Sequence, residues 1–280
     1  MDRTSLYRKA VLQKCRDKVA TEKLKRAHEE NPFYGVRRLA IVLGWNKKKV
    51  RRIRNLAGVK AYVSRRSRRR TSGAIEIPAP DNILRSYWLF RNEENPRKGY
   101  TFVNLTMPDA RVWVQDFTYI SWHGKMYYLA AILNVATRKV MGWAFSRSHD
   151  ADMVCDALFD ALMRNTAPKI LHSDRGSEYL STQHQSLCKE YGITMSASEG
   201  GSPWQNGFME RFFSTFKSEM KERIRSYRSM EEMYEQIAIW INYYNSKRIH
   251  TALSMSPNDY EKYLKESRLT SDKVLQKKGA

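Results

Sequence analysis

Three carboxylates and a lysine carry the chemistry that this sequence could perform. Asp116 stands in "VWVQDFTYI", Asp174 ends "KILHSD", and Glu210 opens "ERFFSTFKSE", with 35 residues between Asp174 and Glu210. Val112, Val114, Phe117 and Ile120 flank Asp116, and a carboxylate in so apolar a strand is costly to bury without a cation or partner. At 3.6 residues per turn, Glu210, Ser214, Lys217 and Lys221 share one helix face, while Phe212, Phe213, Phe216, Met220 and Ile224 fill the other. The phenylalanine face reads as core, so the polar face is held rigidly. Alone, Glu210 reads as a solvated charge and Lys217 as a solubilising one. Beside two more acids, Glu210 completes an oxygen donor set and Lys217 is placed to hold a phosphate. Carboxylates with no Cys/His cluster nearby suit a hard cation, Mg²⁺ or Mn²⁺. Two such ions about 3.5–4 Å apart serve an in-line phosphoryl displacement.

The elements that must position these groups follow from texture. From Arg111 the chain alternates β-branched and aromatic residues with polar ones, which predicts a strand through "VWVQDFTYI". "MYYLAAILNV" and "VMGWAFS" extend it into a meander across the turns "WHGK" and "ATRK". A helix over 151–164, the strand "KILHSD", a helix through "TQHQSLCKEYG" and the strand "ITMSAS" follow. This is an α/β pattern with a mixed five-stranded sheet, in which the first and fourth strands can be neighbours. Asp174 then sits at the carboxyl end of a strand, where ligands collect in such sheets.

Charge marks a second region. The 280 residues carry a net +21, and residues 1–73 hold 23 Lys/Arg against 5 Asp/Glu, a balance of +18. A block this basic points to a polyanion, with nucleic acid the leading candidate. Residues 5–29 read as a basic helix, and "NPFYGVRRLAIVLGWNKKKVRRIRNLAG" as two short helices around a tight turn. Asn46 is a candidate N-cap of the second, with Val50, Ile53 and either Leu56 or Ala57 inward. Lys47, Lys48, Lys49, Arg51, Arg52 and Arg54 then face outward, as in a helix-turn-helix whose second helix enters a major groove. A basic hairpin touching only phosphates is the plainer reading. "SRRSRRRTSGAIEIPAPDN" reads as an exposed linker, and a helical stretch is expected around Ile83–Arg91. The expected domains are therefore 1–63, basic and helical; 64–107, linker with a short helical insertion; 108–228, catalytic core; and 229–280, helical extension. No apolar run approaches the roughly 20 residues of a membrane span. Cys15, Cys155 and Cys188 are too scattered for a disulfide framework or zinc site and fit a reducing compartment, consistent with a cytoplasmic, nucleoid-associated protein.

"DFTYI", "HSDRGSEY" and "SPWQNGFMERFFSTFKSE", with the 35-residue gap and a lysine seven after the glutamate, resemble the DDE transposases of bacterial insertion sequences. More narrowly, the chain is similar to the integrase-like catalytic subunit of copy-out–paste-in elements, relatives of retroviral integrase. The resemblance runs from about Asn31 to Tyr260 and includes "YGVRRLAIVLGWNKKKVRRI" and "YYNSKRIHTALSMSP". It implies an RNase H-like fold, two Mg²⁺ ions on Asp116, Asp174 and Glu210, and double-stranded DNA as partner. The implied reaction frees a 3′-hydroxyl by hydrolysis and then joins it to another phosphodiester. Lys217 and Asn206 match the family's basic residue and its asparagine before the glutamate, the latter contacting DNA or positioning the helix. Tyr244, Asn245, Arg248, His250 and Pro257 match the C-terminal signature, and all but Arg248 read as packing residues; Arg248 reads as a DNA contact. Dimerisation on DNA, or a higher oligomer, is expected, and a start directly in a basic helix fits an upstream reading-frame product completing the active form. Gln205 and Asn134 stand where relatives often carry Asp, residues 83–99 resemble an insertion, and the zinc module of retroviral integrases is absent. Glu178 reads as a surface residue able to assist a metal, His172 as packing, Asp152, Asp156 and Asp160 as solvated, and Glu219 as facing away from Glu210. A DNA-binding regulator with an inactive core, or a nuclease that only hydrolyses, remain the alternatives.

Overall fold

The computed structural model describes residues 3–62, 79–84, 88–91, 100–102, 112–199 and 203–278. The chain divides into two compact units, Met1–Arg68 with Arg248–Ser256, and Arg69–Lys247 with Pro257–Ala280.

In the first unit, α1 (Arg3–Glu30), α2 (Val36–Leu43) and α3 (Lys47–Leu56) enclose a small core of Leu24, Tyr34, Leu39, Val50 and Ile53. Gly44 ends α2 at φ +62, a left-handed geometry that glycine adopts without strain. Asn46 caps α3 as expected, its Oδ1 accepting from Lys49 N at 2.8 Å. The third inward position is Ala57, whereas Leu56 is exposed. Arg52 forks onto Asp17, with Nη2 donating to Oδ1 at 2.8 Å, and so ties α3 to α1. Arg54 Nε donates to Val59 O at 2.9 Å.

In the second unit, the strand expected from sequence is β3 (Val112–Trp122), and β4 (Lys125–Asn134) and β5 (Val140–Ser146) complete the meander. β6 (Ile170–Ser173) and β7 (Thr194–Ala197) follow α4 (Ala151–Arg164) and α5 (Thr182–Glu190). The sheet order is β5-β4-β3-β6-β7, antiparallel through the meander and parallel from β3 to β6 to β7. This is the RNase H-like arrangement. The β3–β4 hairpin turns on His123 and Gly124, both at positive φ, the two-residue geometry that matches strand twist. Asn134 Oδ1 braces the β4–β5 turn by accepting from Ala136 N at 2.9 Å and Thr137 N at 3.1 Å.

Both sheet faces are covered, so β4, flanked by β5 and β3, is apolar and buried from Leu129 to Leu133. Leu129, Ala131 and Leu133 meet α6 (Gly207–Ile224) and α7 (Met230–Ser246), while Ala130 and Ile132 meet α4. A 3-10 turn, Pro203–Asn206, leads into α6, and α8 (Pro257–Lys278) closes the chain. Met233, Ile237, Trp240, Ile241 and Tyr244 bury α7 in the same core as α6, so residues 230–246 pack as part of the sheet layer and not as an appendage. Asn245 exchanges two 2.9 Å hydrogen bonds with the backbone of Val140, in keeping with a packing role for the signature. The stretch expected to be helical around Ile83–Arg91 differs. A short 3-10 turn occupies 83–84, and Trp88–Arg91 is a strand, β1, paired with β2 (Tyr100–Phe102). Its run of Trp, Leu and Phe prefers extended backbone once a partner strand is present. The linker reading falls, for residues 63–78, outside the described residues.

Two stability predictions arise here. A Cβ added at Gly142 would meet Ala161 N, and would stand 2.5 Å from Ala157 O and 2.7 Å from Ala161 Cα, all backbone of α4. Gly142→Ala should therefore force β5 and α4 apart and cost about 1–3 kcal/mol or more in urea unfolding. His184 is buried, with Nε2 3.1 Å from Gln115 Nε2 and 3.2 Å from Gln115 Oε1, and burial pushes its pKa down to about 4. The unfolded chain, with a histidine near 6.5, binds more protons below that pH, so stability held at neutral pH is lost on acidification. About 2 kcal/mol should go by pH 5, and His184→Gln should flatten that slope in denaturation curves.

Candidate active site

Parallel pairing of β3 with β6 does the first part of the positioning. Val114 is in register with His172, so two residues further along each strand Asp116 and Asp174 come level. Asp116 is partly buried and accepts a 2.8 Å hydrogen bond from Phe117 N. Asp174 accepts one of 2.9 Å from Gly176 N. His172, between them and the core, is buried with its ring nitrogens 2.9 Å and 3.0 Å from the Ser196 and Ser198 hydroxyls, which fits packing.

Helix α6 brings the third acid. Met209, Phe212, Phe213, Phe216 and Met220 are buried against the sheet and α7, leaving Glu210 exposed in the first turn, where the helix dipole favours an anion. Asn206 fixes the start of that helix, for its buried side chain donates to Gln115 O at 3.0 Å, one residue before Asp116. Of the two roles expected for Asn206, this is the positioning one. Gln205 is also buried, its Oε1 accepting from Asn82 Nδ2 at 2.8 Å and from Glu199 N at 2.6 Å.

Electrostatics register the convergence. Asp116 is held well above the usual carboxylate range, first by desolvation and then by the negative charge of Asp174, with Glu210 adding to it. The Phe117 hydrogen bond and the Lys217 cation act the other way. Desolvation also raises Asp174, although part of its surface stays exposed, and the charge of Glu178 adds to that rise. Lys217 Nζ sits over the Tyr119 ring, 4.0 Å from its centroid, with burial lowering its pKa and Asp116 raising it. Among the described residues no three Asp, Glu, His or Cys side chains are drawn tightly enough to enclose an ion.

The other sequence candidates fall as follows. Glu219 is buried on the far side of α6, accepting from Trp240 Nε1 at 3.1 Å. Asp160 is not merely solvated, since it accepts from Trp143 N at 3.2 Å and pairs with Arg164 at 2.6 Å. Lys47, Lys48, Lys49 and Arg51 are exposed along α3, Arg52 is exposed but engaged by Asp17, and Arg54 is half-buried. Arg248 is buried. Sequence reading passed over Tyr119, three residues past Asp116, because only the fold reveals the lysine above its ring. It also passed over the burial of Glu178, taken up below.

Residues 109–203 match the integrase core domain family, and residues 191–257 match a second integrase core domain family. The transposase for insertion sequence element IS904 of Lactococcus lactis is 30% identical over 271 residues, covering 92% of this chain and 99% of its own. The putative transposase InsK for insertion sequence element IS150 of Escherichia coli is 28% identical over 242 residues, 83% and 79% of the two chains. Among solved structures, the HTLV-2 integrase catalytic core domain in complex with magnesium (trimeric form) is similar at a TM-score of 0.46 and 16% identity, over 54% of this chain and 96% of that one. Near-complete coverage of a relative at 30% identity, and integrase core matches over the strands and helix that gather the acids, show that the chain belongs to the transposases of insertion sequence elements.

Proposed function

We propose that this transposase cuts and joins DNA at the ends of its element, with Asp116, Asp174 and Glu210 holding two Mg²⁺ ions, or Mn²⁺ in their place. The observation that carries the reading is the β3–β6 register that brings Asp174 level with Asp116, with the charges of both Asp174 and Glu210 opposing ionisation of Asp116. The donor set fits the ions. It is all oxygen, and its partly buried central acid lies in a field that positive charge would relieve. When bound, the metals supply polarisation of the attacking and departing oxygens.

The chain's residues do the rest. Register and the phenylalanine face of α6 fix where the acids stand, and Asn206 locks the start of α6 to β3. Lys217 meets a phosphate oxygen beside them. In the first reaction water attacks phosphorus, the 3′-oxygen departs with a proton, and a 5′-phosphate remains on the flank. In the second, that 3′-hydroxyl attacks another phosphodiester, losing its proton, and a new 3′-hydroxyl departs, so the number of phosphodiester bonds is conserved. The exposed α3 lysines and Arg51 suit double-stranded DNA, whose phosphates they would neutralise. Two ends must meet, which calls for at least two copies of the chain.

Labelled terminal-repeat DNA with Mg²⁺ tests the reading. Nicked 3′ ends followed by joined products are expected. Binding without nicking would indicate a regulator, and nicking without joining a nuclease. Lys217→Ala should slow transfer about tenfold or more while Mn²⁺ binding survives. Tyr119→Leu, which removes the ring beneath Nζ, should cost several-fold, and Tyr119→Phe almost nothing, given about 0.5–2 kcal/mol for such a contact. Single-turnover rates on the same DNA check both.

A further inference from the structure

Glu178, four residues beyond Asp174, is not the surface residue its sequence suggests. Its side chain is only 11% exposed. His149 Nδ1 lies 2.8 Å from Oε1, and Ser177 Oγ donates to Oε2 across 3.4 Å. The His149 ring is itself held in place, stacked on Phe117 at 5.6 Å between centroids and tilted on Tyr128 at 4.7 Å. Gly176 shows where the carboxylate points. A Cβ built there would lie 2.8 Å from Glu178 Oε2, 3.1 Å from Asp174 Oδ1 and 3.4 Å from the Tyr179 ring. Glu178, Asp174 and Tyr179 thus all stand close around one glycine.

Tyr179 adds an independent sign. The residue is 1% exposed, yet its hydroxyl has no hydrogen-bond partner among the described residues. An ordinary phenol is protonated at neutral pH, so the hydroxyl is a donor. A buried donor left unsatisfied costs about 1–3 kcal/mol, and native proteins rarely leave one without a purpose. The acceptor that suits this place is an oxygen in the shell of a hydrated cation.

We infer that Glu178 is a fourth carboxylate of the metal centre, gripping the cation on its Asp174 side, with the Tyr179 hydroxyl donating to an oxygen of that ion's ligand shell. The inference rests on the reading of Asp116, Asp174 and Glu210 as metal-holding acids. His149 then orients Glu178 from behind, as partners of ligating carboxylates commonly do.

Mn²⁺ titration of the full chain, followed by calorimetry and by the paramagnetic resonance of free Mn²⁺, tests it without reference to activity. Glu178→Gln should weaken binding tenfold or more, Tyr179→Phe several-fold, and Asp116→Asn should weaken it most. His149→Ala, which removes the ring against Glu178 but keeps the carboxylate, should weaken it less than Glu178→Gln at equal melting temperature. Wild-type affinity in Glu178→Gln alongside a weakened Asp116→Asn would overturn the role of Glu178 and leave the three-acid reading standing. Equal losses in His149→Ala and Glu178→Gln would likewise overturn it, making the pair structural. A wild-type chain that takes up no Mn²⁺ would remove both readings together.

Discussion

Asp116→Asn should lower the rates of both DNA cleavage and joining by at least a thousandfold, while the protein still folds and still binds terminal DNA. A thousandfold corresponds to about 4 kcal/mol of transition-state stabilisation, a modest expectation for losing one of the acids proposed to hold the metal ions. The variant should also melt no lower than the wild type. A carboxyl whose pKa is raised by folding destabilises the folded state once it ionises, above its unfolded value near 3.9, and asparagine removes that penalty at neutral pH. Lost activity with unchanged or raised melting temperature separates a removed ligand from a damaged fold. Gel-resolved single-turnover rates beside a calorimetric melt give both numbers, and a variant that joins DNA at near wild-type speed would mean another catalyst.

Phe216→Ala should be the most damaging truncation on α6. Phe216 is 0% exposed, with its ring edge-on to Trp240 at 5.0 Å, and emptying such a site costs about 3–5 kcal/mol. Its neighbours Phe212 and Met220 belong to the same cluster, so the helix loses its seat as well as a side chain. Glu210 and Lys217 ride on that helix, and transfer should fall even at temperatures where the variant remains folded. Lys221→Ala, on the exposed face, should stay within about 0.5 kcal/mol of wild type. Urea unfolding of the two variants side by side checks the contrast.

Local periodicity explains what could be read before any coordinates. The α6 wheel separates Phe216 from Glu210, Asn46 announces the α3 cap, and His123–Gly124 lies between two alternating runs. Each is decided within a few residues, so the pattern survives folding. The adjacency of β3 and β6 was accessible as a topology, but the Val114–His172 register that levels Asp116 with Asp174 was not. Strand Trp88–Arg91 was missed because its partner lies nine residues on, and an aromatic run reads as helix or strand until that partner is known. Arg52 looked like one more outward cation until Asp17, 35 residues away, claimed it. Glu178 and Tyr119 belong to the same class, since the histidine against the one and the lysine above the other both come from distant segments.

Anomalous scattering from crystals grown with terminal-repeat DNA and Mn²⁺ would locate the ions outright. Two peaks a few ångströms apart, within reach of Asp116, Asp174 and Glu210, are the expected result. Mn²⁺ lodged elsewhere, with the three carboxylates still apart around bound DNA, would contradict a shared metal centre.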